Sequence, residues 1–454
     1  MKCADMKKTS TVGVISLGCA KNQVDTELML GTLQEAGYGI VQDPACADVL
    51  IVNTCAFIES AREEAIQTIL EMAEYKHPEV GQCRVLLVAG CLAERYTQEI
   101  CAELPEVDGL VGINHCSDIA SVVDRCLEGN GDHPEVRVSD DYGVSYMEGA
   151  RVLTTPGGSA YLKIAEGCDN RCSYCAIPLI RGGFRSRPIE GIVAEAKALA
   201  LQGVREINLI AQDTTRYGTD LYGRPMLAEL MEALDAIKGI QWIRVLYLYP
   251  DEMAEDLLQA MRQCKKFVHY LDLPLQHINN AILKRMNRRG TKEEICSVLR
   301  RFKTLFPDCV VRTSFIVGFP GETEEAFQEL YDFIREFEFD RVGVFCYSPE
   351  DGTDAAAFEA QVPEEVKEDR RARLMELAQR ISLRKNQARV GEEVDVIVES
   401  VSDDGIFYVG RSYGEAPDVD GKVYFTSEEP LEPGDFVRVR ILIGEEYDVT
   451  GTAV

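Results

Sequence analysis

Short runs of consecutive apolar residues alternate with helical segments along most of this chain. The runs TVGVISLG, ADVLIVNT and CRVLLVAG begin at residues 11, 47 and 83, and amphipathic stretches such as ESAREEAIQTILEMAEY separate them. Strands that are apolar on both faces and alternate with helices are typical of a parallel sheet covered by helices. Residues 1–145 are therefore predicted to form a doubly wound parallel sheet, to which the run VDGLVG adds a further strand.

A second series of strand and helix patterns follows residues 139–159, whose Gly, Ser, Thr and charged residues are typical of a linker. Six strand candidates follow: AYLKIAEG, REINLIAQ, WIRVLYLY, VHYLDLP, VVRTSFIVGFP and RVGVFCYS. Repeated strand–helix units predict an α/β barrel, complete or partial, over residues 151–387. In such barrels the functional site lies at the carboxyl ends of the strands.

The last part of the chain has a different residue pattern. A charged helix, predicted over 363–390, leads into short strands joined by Gly, Pro and Asp turns, which predict a small antiparallel β-barrel over residues 388–454. Residues 391–454 contain 16 acidic and 4 basic residues. An oligonucleotide-binding barrel is expected to carry a basic or aromatic face, and this sequence does not provide a basic one.

Charge and hydropathy narrow the class of partner. The formal net charge of −28 disfavours phosphate backbones and favours basic proteins, although acidity also simply aids solubility. No run approaches the roughly 18 apolar residues of a membrane span, and the run from Val12 to Leu17 suits a strand better than a signal peptide. We therefore expect a cytoplasmic protein without a membrane partner. In a reducing cytosol its 16 cysteines are not a disulfide framework.

Three cysteines lie close together in GCDNRCSYCAIP, at Cys168, Cys172 and Cys175. Their C-x3-C-x2-C spacing directly follows the first predicted barrel strand. Structural zinc requires four protein ligands, but the next cysteine and histidine, Cys264 and His269, belong to other elements. Three soft thiolates suit a 4Fe–4S cluster with one iron left open. The open position is predicted to bind a substrate.

Three further cysteines each follow a predicted strand of the first sheet: Cys19, Cys55 and Cys91, each 36 residues after the previous one. The carboxyl ends of parallel strands lie at one edge of an open sheet. The three thiols are therefore expected to converge on a second metal site. Free cysteine also packs as a small hydrophobe, and that interpretation is preferred for Cys46, Cys83, Cys101, Cys116, Cys126, Cys264, Cys296, Cys309 and Cys346.

The C-x3-C-x2-C motif after the first strand of an α/β barrel resembles that of radical S-adenosylmethionine enzymes. With the three earlier cysteines and the terminal barrel, nearly the whole chain resembles the methylthiotransferases, whose order is a cluster domain, a radical barrel and a TRAM domain. Stretches such as SLGCAKNQVDTELMLG, YLYPDEM and APDVDGKVYF are similar to the RimO type, which modifies a ribosomal protein. The MiaB type, which modifies tRNA, usually carries Gln-Ser-Gly where this chain has Gln276-His277-Ile278.

The resemblance implies a methylthio group added to the β-carbon of an aspartate in the basic protein twelve of the small ribosomal subunit. It implies S-adenosylmethionine and two 4Fe–4S clusters, a radical cluster on Cys168, Cys172 and Cys175 and an auxiliary, sulfur-carrying cluster. The auxiliary ligands would be Cys19, Cys55 and Cys91. One S-adenosylmethionine would methylate that sulfur and a second would be cleaved to a radical. A low-potential electron donor (flavodoxin or ferredoxin) and a sulfur donor are the other implied partners.

Two other functions remain open at this point. One is methylthiolation of a tRNA adenosine, and the other is an iron–sulfur electron carrier or sensor without chemistry of its own. A carrier would not need an open iron on each cluster. The paired cysteine sets also disfavour a noncatalytic ribosome-binding protein.

No catalytic residue beyond the cluster ligands is predicted, but several residues are candidates for cofactor contacts. These are Tyr174, Gln212, His277, Gly318, Pro320 and Gly321. Tyr174 would pack near the radical cluster and the adenine, or serve as a core tyrosine. The glycines of IVGFPGET would let the backbone approach adenosine, or make a plain turn. His277 is predicted to contact the substrate or cofactor, or to serve as a local hydrogen-bonding group. Asp213 is predicted to be a ligand or a helix N-cap. The basic run KRMNRRG is predicted to be a solvated face.

Overall fold

The computed structural model describes residues 10–129, 134–139, 143–155 and 157–454. Its first unit is a six-stranded parallel sheet with the strand order β2-β1-β3-β4-β5-β6. The strands are β1 (Thr11–Ser16), β2 (Gly39–Ile40), β3 (Val49–Thr54), β4 (Val85–Gly90), β5 (Gly109–Val111) and β6 (Glu135–Arg137). The described helices are α1 (Ala20–Glu35), α2 (Glu59–Ala73), α3 (Cys91–Arg95), α4 (Thr97–Glu103) and α5 (Ile119–Glu128).

The predicted doubly wound sheet is confirmed, and its strand order positions the first cysteine set. Every residue of β3 and β4 is buried, as expected for strands covered on both faces. The chain leaves β1 toward β2 on one side and returns to β3 on the other. This reversal at β1 is a topological switch point, the place where open α/β sheets bind ligands.

The central unit contains all six strands predicted for the barrel. They form two parallel groups, β11-β10-β7 and β12-β13-β14, joined through an Ile243–Phe267 bridge. Within the described chain β7 and β14 do not pair, so the barrel is partial. A two-stranded pair, β8 with β9, flanks the cysteine motif. The strands are β7 (Ser159–Lys163), β8 (Ala165–Glu166), β9 (Arg185–Ser186), β10 (Glu206–Ile210), β11 (Trp242–Val245), β12 (Tyr270–Gln276), β13 (Val310–Val317) and β14 (Arg341–Cys346).

Helices cover the outer face of this partial barrel, and several begin at a side-chain cap. Thr291 forms a capping box with Glu294, and Asn279 and Thr323 cap two other helices. The helices are α6 (Ile177–Arg181), α7 (Ile189–Leu201), α8 (Leu227–Asp235), α9 (Glu255–Gln263), α10 (Asn280–Arg285), α11 (Lys292–Leu305), α12 (Glu324–Phe337) and α13 (Glu364–Ala388). None of the helices described is both long enough and apolar enough to cross a bilayer.

The terminal unit is the predicted small barrel, closed in the order β15-β16-β17-β19-β18. Its strands are β15 (Glu393–Val401), β16 (Tyr408–Arg411), β17 (Val423–Thr426), β18 (Phe436–Gly444) and β19 (Val449–Ala453). The prediction of purely antiparallel pairing needs one correction, because β17 and β19 pair in parallel. After β17 the chain forms β18, which pairs with β15 and not with β17. It then returns as β19, which closes the barrel between β17 and β18.

The concave face of the partial barrel is filled by the other two units. Val24 and Leu28 of α1 pack there with Tyr161, Tyr270 and Ala416, the last from the terminal barrel. The three units therefore meet at the inner face of the central strands.

The segment predicted to be a linker is partly packed rather than free. Residues 140–142 and 156 lie outside the described residues. Within the described part, Arg151 is buried and forms ion pairs with Glu27 of α1 and Glu195 of α7. A buried arginine is stable only when carboxylates neutralise it, so this segment joins the first two units.

The contact between the terminal and central units depends on a buried guanidinium. Arg411 forms ion pairs with Glu206 of β10 and Glu399 of β15, and all three side chains are buried. Burial raises the pKa of Glu206, but Arg411 and Arg244 outweigh that effect and lower the pKa to about 2. The carboxyl is therefore charged at neutral pH and depends on its cationic partners.

Replacing Arg411 with methionine is expected to destabilise this contact by about 3 kcal/mol, because it leaves buried carboxylates with fewer partners. The measurement is the urea midpoint of the first unfolding transition. Arg438→Met is the matched control, because Arg438 and its partner Asp395 are exposed and such pairs contribute about 0–1 kcal/mol. Equal midpoints for the two variants would contradict the prediction.

Candidate active site

The first cysteine set lies at three adjacent strand ends. Cys19 precedes α1, Cys55 directly follows β3, and Cys91 is the first residue of α3 after β4. The turn before Cys19 requires a glycine: Gly18 has φ +94°, and a Cβ there would lie 2.8 Å from Cys55 Cβ. The same Cβ would be 3.3 Å from Cys55 Sγ. The turn that leads into Cys19 therefore packs directly against Cys55.

Asn22 holds the three loops together. Its side-chain amide donates to the carbonyl oxygens of Leu17 (3.0 Å) and Thr54 (2.9 Å), the residues before the Cys19 and Cys55 turns. Its Oδ1 lies 3.7 Å from Cys91 Sγ. One buried side chain thus touches all three loops, which fixes their separation before any metal binds.

The second cysteine set occupies the loop between β8 and α6. Gly167 has φ +76°, and a Cβ there would lie 2.1 Å from the carbonyl oxygen of Gly183, so the loop closes against the backbone after α6. Cys168 N–H donates to the Gly182 carbonyl. Ser173 is held by Met286, since its N–H donates to that carbonyl at 3.0 Å. Backbone contacts therefore fix the loop that carries Cys168, Cys172 and Cys175.

The thiol positions fit iron–sulfur clusters better than zinc. In neither set do all three sulfur atoms lie within 4.8 Å of one another, whereas Zn–S bonds of about 2.3 Å place tetrahedral ligands about 3.8 Å apart. Cuboidal clusters hold each thiolate at a separate iron. Burial raises the pKa of Cys91 to about 12, Arg181 opposes that rise, and the charges of Cys55 and Cys19 add to it. The thiols are thus near enough to interact, and metal binding must displace their protons.

Arg181 connects the two sets. It ends α6, the helix after Cys175, and its Nη2 lies 3.4 Å from Cys91 Sγ and 2.6 Å from Asn22 Oδ1. Its Nη1 donates to Glu166 at 2.7 Å, immediately before the radical motif. Arg181 was not among the predicted site residues. Five residues separate it from Cys175, but nothing in that spacing indicates a contact with the first unit.

Buried charges surround this arginine. Lys163, at the end of β7, pairs with Asp25 of α1 and with Glu166, and Arg181 also lies 3.4 Å from Asp25. Gln212 donates its side-chain amide to Glu166, which places this predicted cofactor residue behind the radical loop. Two cations and two carboxylates therefore neutralise one another between the two cysteine sets.

The IVGFPGET turn after β13 is packed against side chains. Gly318 has φ +68°, and a Cβ there would lie 2.2 Å from Lys367 Cγ. Gly321 has φ +84°, and its Cβ would lie 3.1 Å from Arg285 Nε, which donates to the Pro320 carbonyl. Turn geometry and packing thus account for both glycines, and contact with adenosine stays a prediction.

His277 is fully buried after β12. Its Nδ1 accepts the Asn279 N–H at 3.0 Å, so the neutral ring carries its proton on Nε2, 3.5 Å from Glu322. Asp213 caps no described helix: it accepts hydrogen bonds from Thr215 and Asn170 instead. Both side chains hold strand-end loops in place, and the N-cap interpretation of Asp213 is wrong because β10 leads into an irregular loop.

Tyr174 belongs to the radical loop and packs edge-on against Phe319, with ring centroids 6.5 Å apart.

The prediction that KRMNRRG is a solvated face needs a correction. Lys284, Arg285 and Arg289 are exposed, but Arg288 is buried with its guanidinium 4.3 Å from the Tyr249 ring centroid. Arg288 also donates to the Pro274 carbonyl and lies beside Cys172. The buried Arg288 side chain therefore packs against the radical loop at Cys172.

A cavity of about 440 Å³ lies where the three units meet. The Cys19 turn forms one wall, the central unit forms the second with Tyr247 after β11 and with Asp272 and Arg312 inside β12 and β13, and the terminal unit forms the third with residues 417–419. The cavity thus opens beside the first cysteine set and is large enough for several side chains of a substrate.

Comparison with known families agrees with this architecture. Residues 162–334 match the Radical SAM superfamily, residues 390–454 match the TRAM domain, and residues 11–112 match the family described as Uncharacterized protein family UPF0004. A protein of Pelotomaculum thermopropionicum, described as ribosomal protein uS12 methylthiotransferase RimO, is 55% identical over 98% of this chain and 99% of its own length. The chain belongs to the RimO family. The predicted family is thus confirmed, and the protein is a radical S-adenosylmethionine methylthiotransferase.

Other relatives carry the same description. One from Acetivibrio thermocellus is 51% identical over 99% of both chains. Among solved structures, the radical S-adenosylmethionine methyltransferase TsrM of Kitasatospora setae matches with a TM-score of 0.54 at 13% identity, covering 74% of this chain and 72% of that chain. That similarity supports the fold alone. The radical SAM domain implies a 4Fe–4S cluster and S-adenosylmethionine, and the relatives do not favour the tRNA-modifying type.

Proposed function

We propose that this chain attaches a methylthio group to the β-carbon of an aspartate in ribosomal protein uS12. The observation that carries the proposal is the junction at Arg181, where a side chain next to the radical motif contacts Cys91 of the other cysteine set. A carrier of electrons alone would not need one buried arginine to link Cys91 to Glu166, which directly precedes the second cysteine motif. The protein named in the relatives' description is the substrate class that we assign.

In this proposal Cys168, Cys172 and Cys175 hold the radical cluster, and Cys19, Cys55 and Cys91 hold the auxiliary cluster. When bound, these groups supply the electron that cleaves S-adenosylmethionine and the sulfur that is transferred. The residues of the chain do the rest: Asn22 and Arg181 hold the two sets at a fixed separation. Tyr174, Gln212, His277, Gly318, Pro320 and Gly321 stay candidate cofactor contacts.

The surface of the terminal barrel supports a basic protein substrate. Glu428, Glu429 and Glu432 are exposed, as are most acidic residues of this barrel. Its exposed Arg438 and Arg440 are already paired with carboxylates of β15. Such a surface attracts a basic ribosomal protein and repels tRNA. We assign the reaction to the cytoplasm, with a low-potential flavodoxin or ferredoxin and a separate sulfur donor as partners.

We also propose functional units at residues 1–145, 151–387 and 388–454. The ranges matched by the family models lie inside them, and α13 ends at Ala388, before the first barrel strand.

The test is methylthio transfer by the anaerobically reconstituted protein. Reductant, S-adenosylmethionine and a sulfur source are added with either a uS12 loop peptide or tRNA, and mass spectrometry follows the products. We expect the mass increase of one methylthio group on the aspartate of the peptide and none on tRNA. Modification of tRNA would contradict the substrate, and absence of S-adenosylmethionine cleavage would support an electron carrier.

A further inference from the structure

A buried lysine beside the central cavity forms no ion pair with a carboxylate of the described residues. Lys21, in the first turn of α1, is 7% exposed, and its Nζ lies 3.1 Å from the centroid of the Tyr247 ring that lines the cavity. No hydrogen bond or ion pair joins this ammonium group to another of the described residues. By contrast, the neighbouring buried Lys163 pairs with two carboxylates. Burial of an unpaired charge is costly, so this site is suited to an anion.

The opposite wall balances its own charges. Asp272 accepts the Tyr247 N–H at 2.9 Å and a hydrogen bond from Arg312 Nη1 at 2.8 Å. Arg312 also pairs through Nε with Asp420 at 3.8 Å. Its Nη2 makes no hydrogen bond within the described chain, and the residue lines the cavity. Asp272 and Asp420 thus balance Arg312, Lys21 is left as the cation on this side without a paired carboxylate, and Arg312 retains a free donor.

The far end of the cavity carries an exposed carboxylate. Asp418, on the terminal barrel, accepts a hydrogen bond from the Tyr161 hydroxyl at 2.7 Å and has no cationic partner in the described structure. A carboxylate entering the cavity is repelled by Asp418 and attracted by Lys21. This field directs the carboxylate toward the Cys19 turn, which precedes Lys21 in the chain.

We propose that Lys21 and Arg312 form a carboxylate-binding subsite for the side chain of the substrate aspartate. This inference rests on the proposed function and assigns the recognition of its target side chain. The carboxylate carbon is bonded to the β-carbon, so holding the carboxylate fixes the reacting C–H within one bond length. Neither residue makes or breaks a bond in the reaction. The subsite explains how an aspartate is selected over its neutral analogue asparagine.

A competing role for Lys21 is to neutralise the thiolates of the auxiliary set, because Cys19 is the nearest titratable group on its own turn. The two roles differ in what they recognise. A subsite for the substrate distinguishes aspartate from asparagine, whereas a counter-charge for the cysteines changes iron binding and treats both peptides alike.

The test is a double-mutant cycle on the reconstituted protein. Affinities of a uS12 loop peptide and its Asp→Asn analogue are measured anaerobically by fluorescence anisotropy for wild type, Lys21→Gln and Lys21→Arg. We expect wild type to bind the aspartate peptide at least about tenfold more tightly, as for a hydrogen bond between charged groups. Lys21→Gln should lower that ratio to about one, and Lys21→Arg should retain most of it.

Iron content and the electron paramagnetic resonance spectrum are measured on every variant, with Lys197→Gln as the matched control because Lys197 is exposed on α7. An unchanged preference in Lys21→Gln would overturn the subsite. If that variant loses iron, Arg312→Gln decides, and full aspartate preference there would overturn it equally. A wild type that prefers the aspartate peptide but never methylthiolates it would contradict the proposed function and still support the subsite.

Discussion

Replacing Cys172 with alanine should abolish cleavage of S-adenosylmethionine, whereas replacing Cys91 with alanine should leave cleavage measurable and abolish methylthio transfer. The two residues belong to different units: Cys172 lies in the loop before α6, and Cys91 begins α3. Each set contains only three thiols, so the loss of one leaves too few ligands to hold a cluster. We expect each affected activity to fall by more than about 100-fold, because even residues that only orient ligands contribute 10–100-fold.

The measurement counts 5′-deoxyadenosine by chromatography and methylthiolated peptide by mass spectrometry in the same reactions. Cys309→Ala is the matched control, because Cys309 is also buried but lies against the core behind β13 and far from both sets in the chain. It should retain both activities. Methylthio transfer by Cys91→Ala would disprove the auxiliary assignment, and cleavage by Cys172→Ala would disprove the radical assignment.

The sequence predicted the strands of both α/β units where burial dictates their composition. Strands covered on both faces must be apolar throughout, and β3 and β4 are. The strands missed were β2, β6 and β9, which have only 2, 3 and 2 residues. They carry exposed or charged side chains because one side of each lacks a neighbouring strand, so no apolar run marks them.

The placement of Cys19, Cys55 and Cys91 at adjacent strand ends also followed from the sequence, because parallel topology brings those ends to one edge. The contacts among the three units could not be predicted from the sequence. Arg181 meets Cys91, and Lys21 meets Tyr247, only because two separately folded units dock. Periodicity describes which face of an element is buried and contains no information about which distant face covers it. A lysine at the end of an apolar strand, Lys163, signals a buried partner without identifying Asp25.

The contact between Arg181 and Cys91 leads to the second large prediction. An N–H donor to a ligating sulfur stabilises the more reduced, more negative state of an iron–sulfur cluster and so raises its potential. Arg181→Met should lower the midpoint potential of the auxiliary cluster and reduce methylthio transfer about 10–100-fold. Radical cleavage should be less affected, because backbone contacts hold the radical loop independently.

The fold should survive this change, since Lys163 still pairs with both Asp25 and Glu166 after Arg181 is removed. Redox titration followed by electron paramagnetic resonance gives the potential, and product counts give the transfer rate. Arg335→Met is the matched control, because Arg335 is exposed and pairs with Asp332 on the outer face of α12. Arg181→Lys separates charge from geometry: one ammonium cannot reach Cys91, Asn22 and Glu166 together, so charge alone should restore little of the transfer. An unchanged potential and rate in Arg181→Met would show that the two cysteine sets work without this bridge.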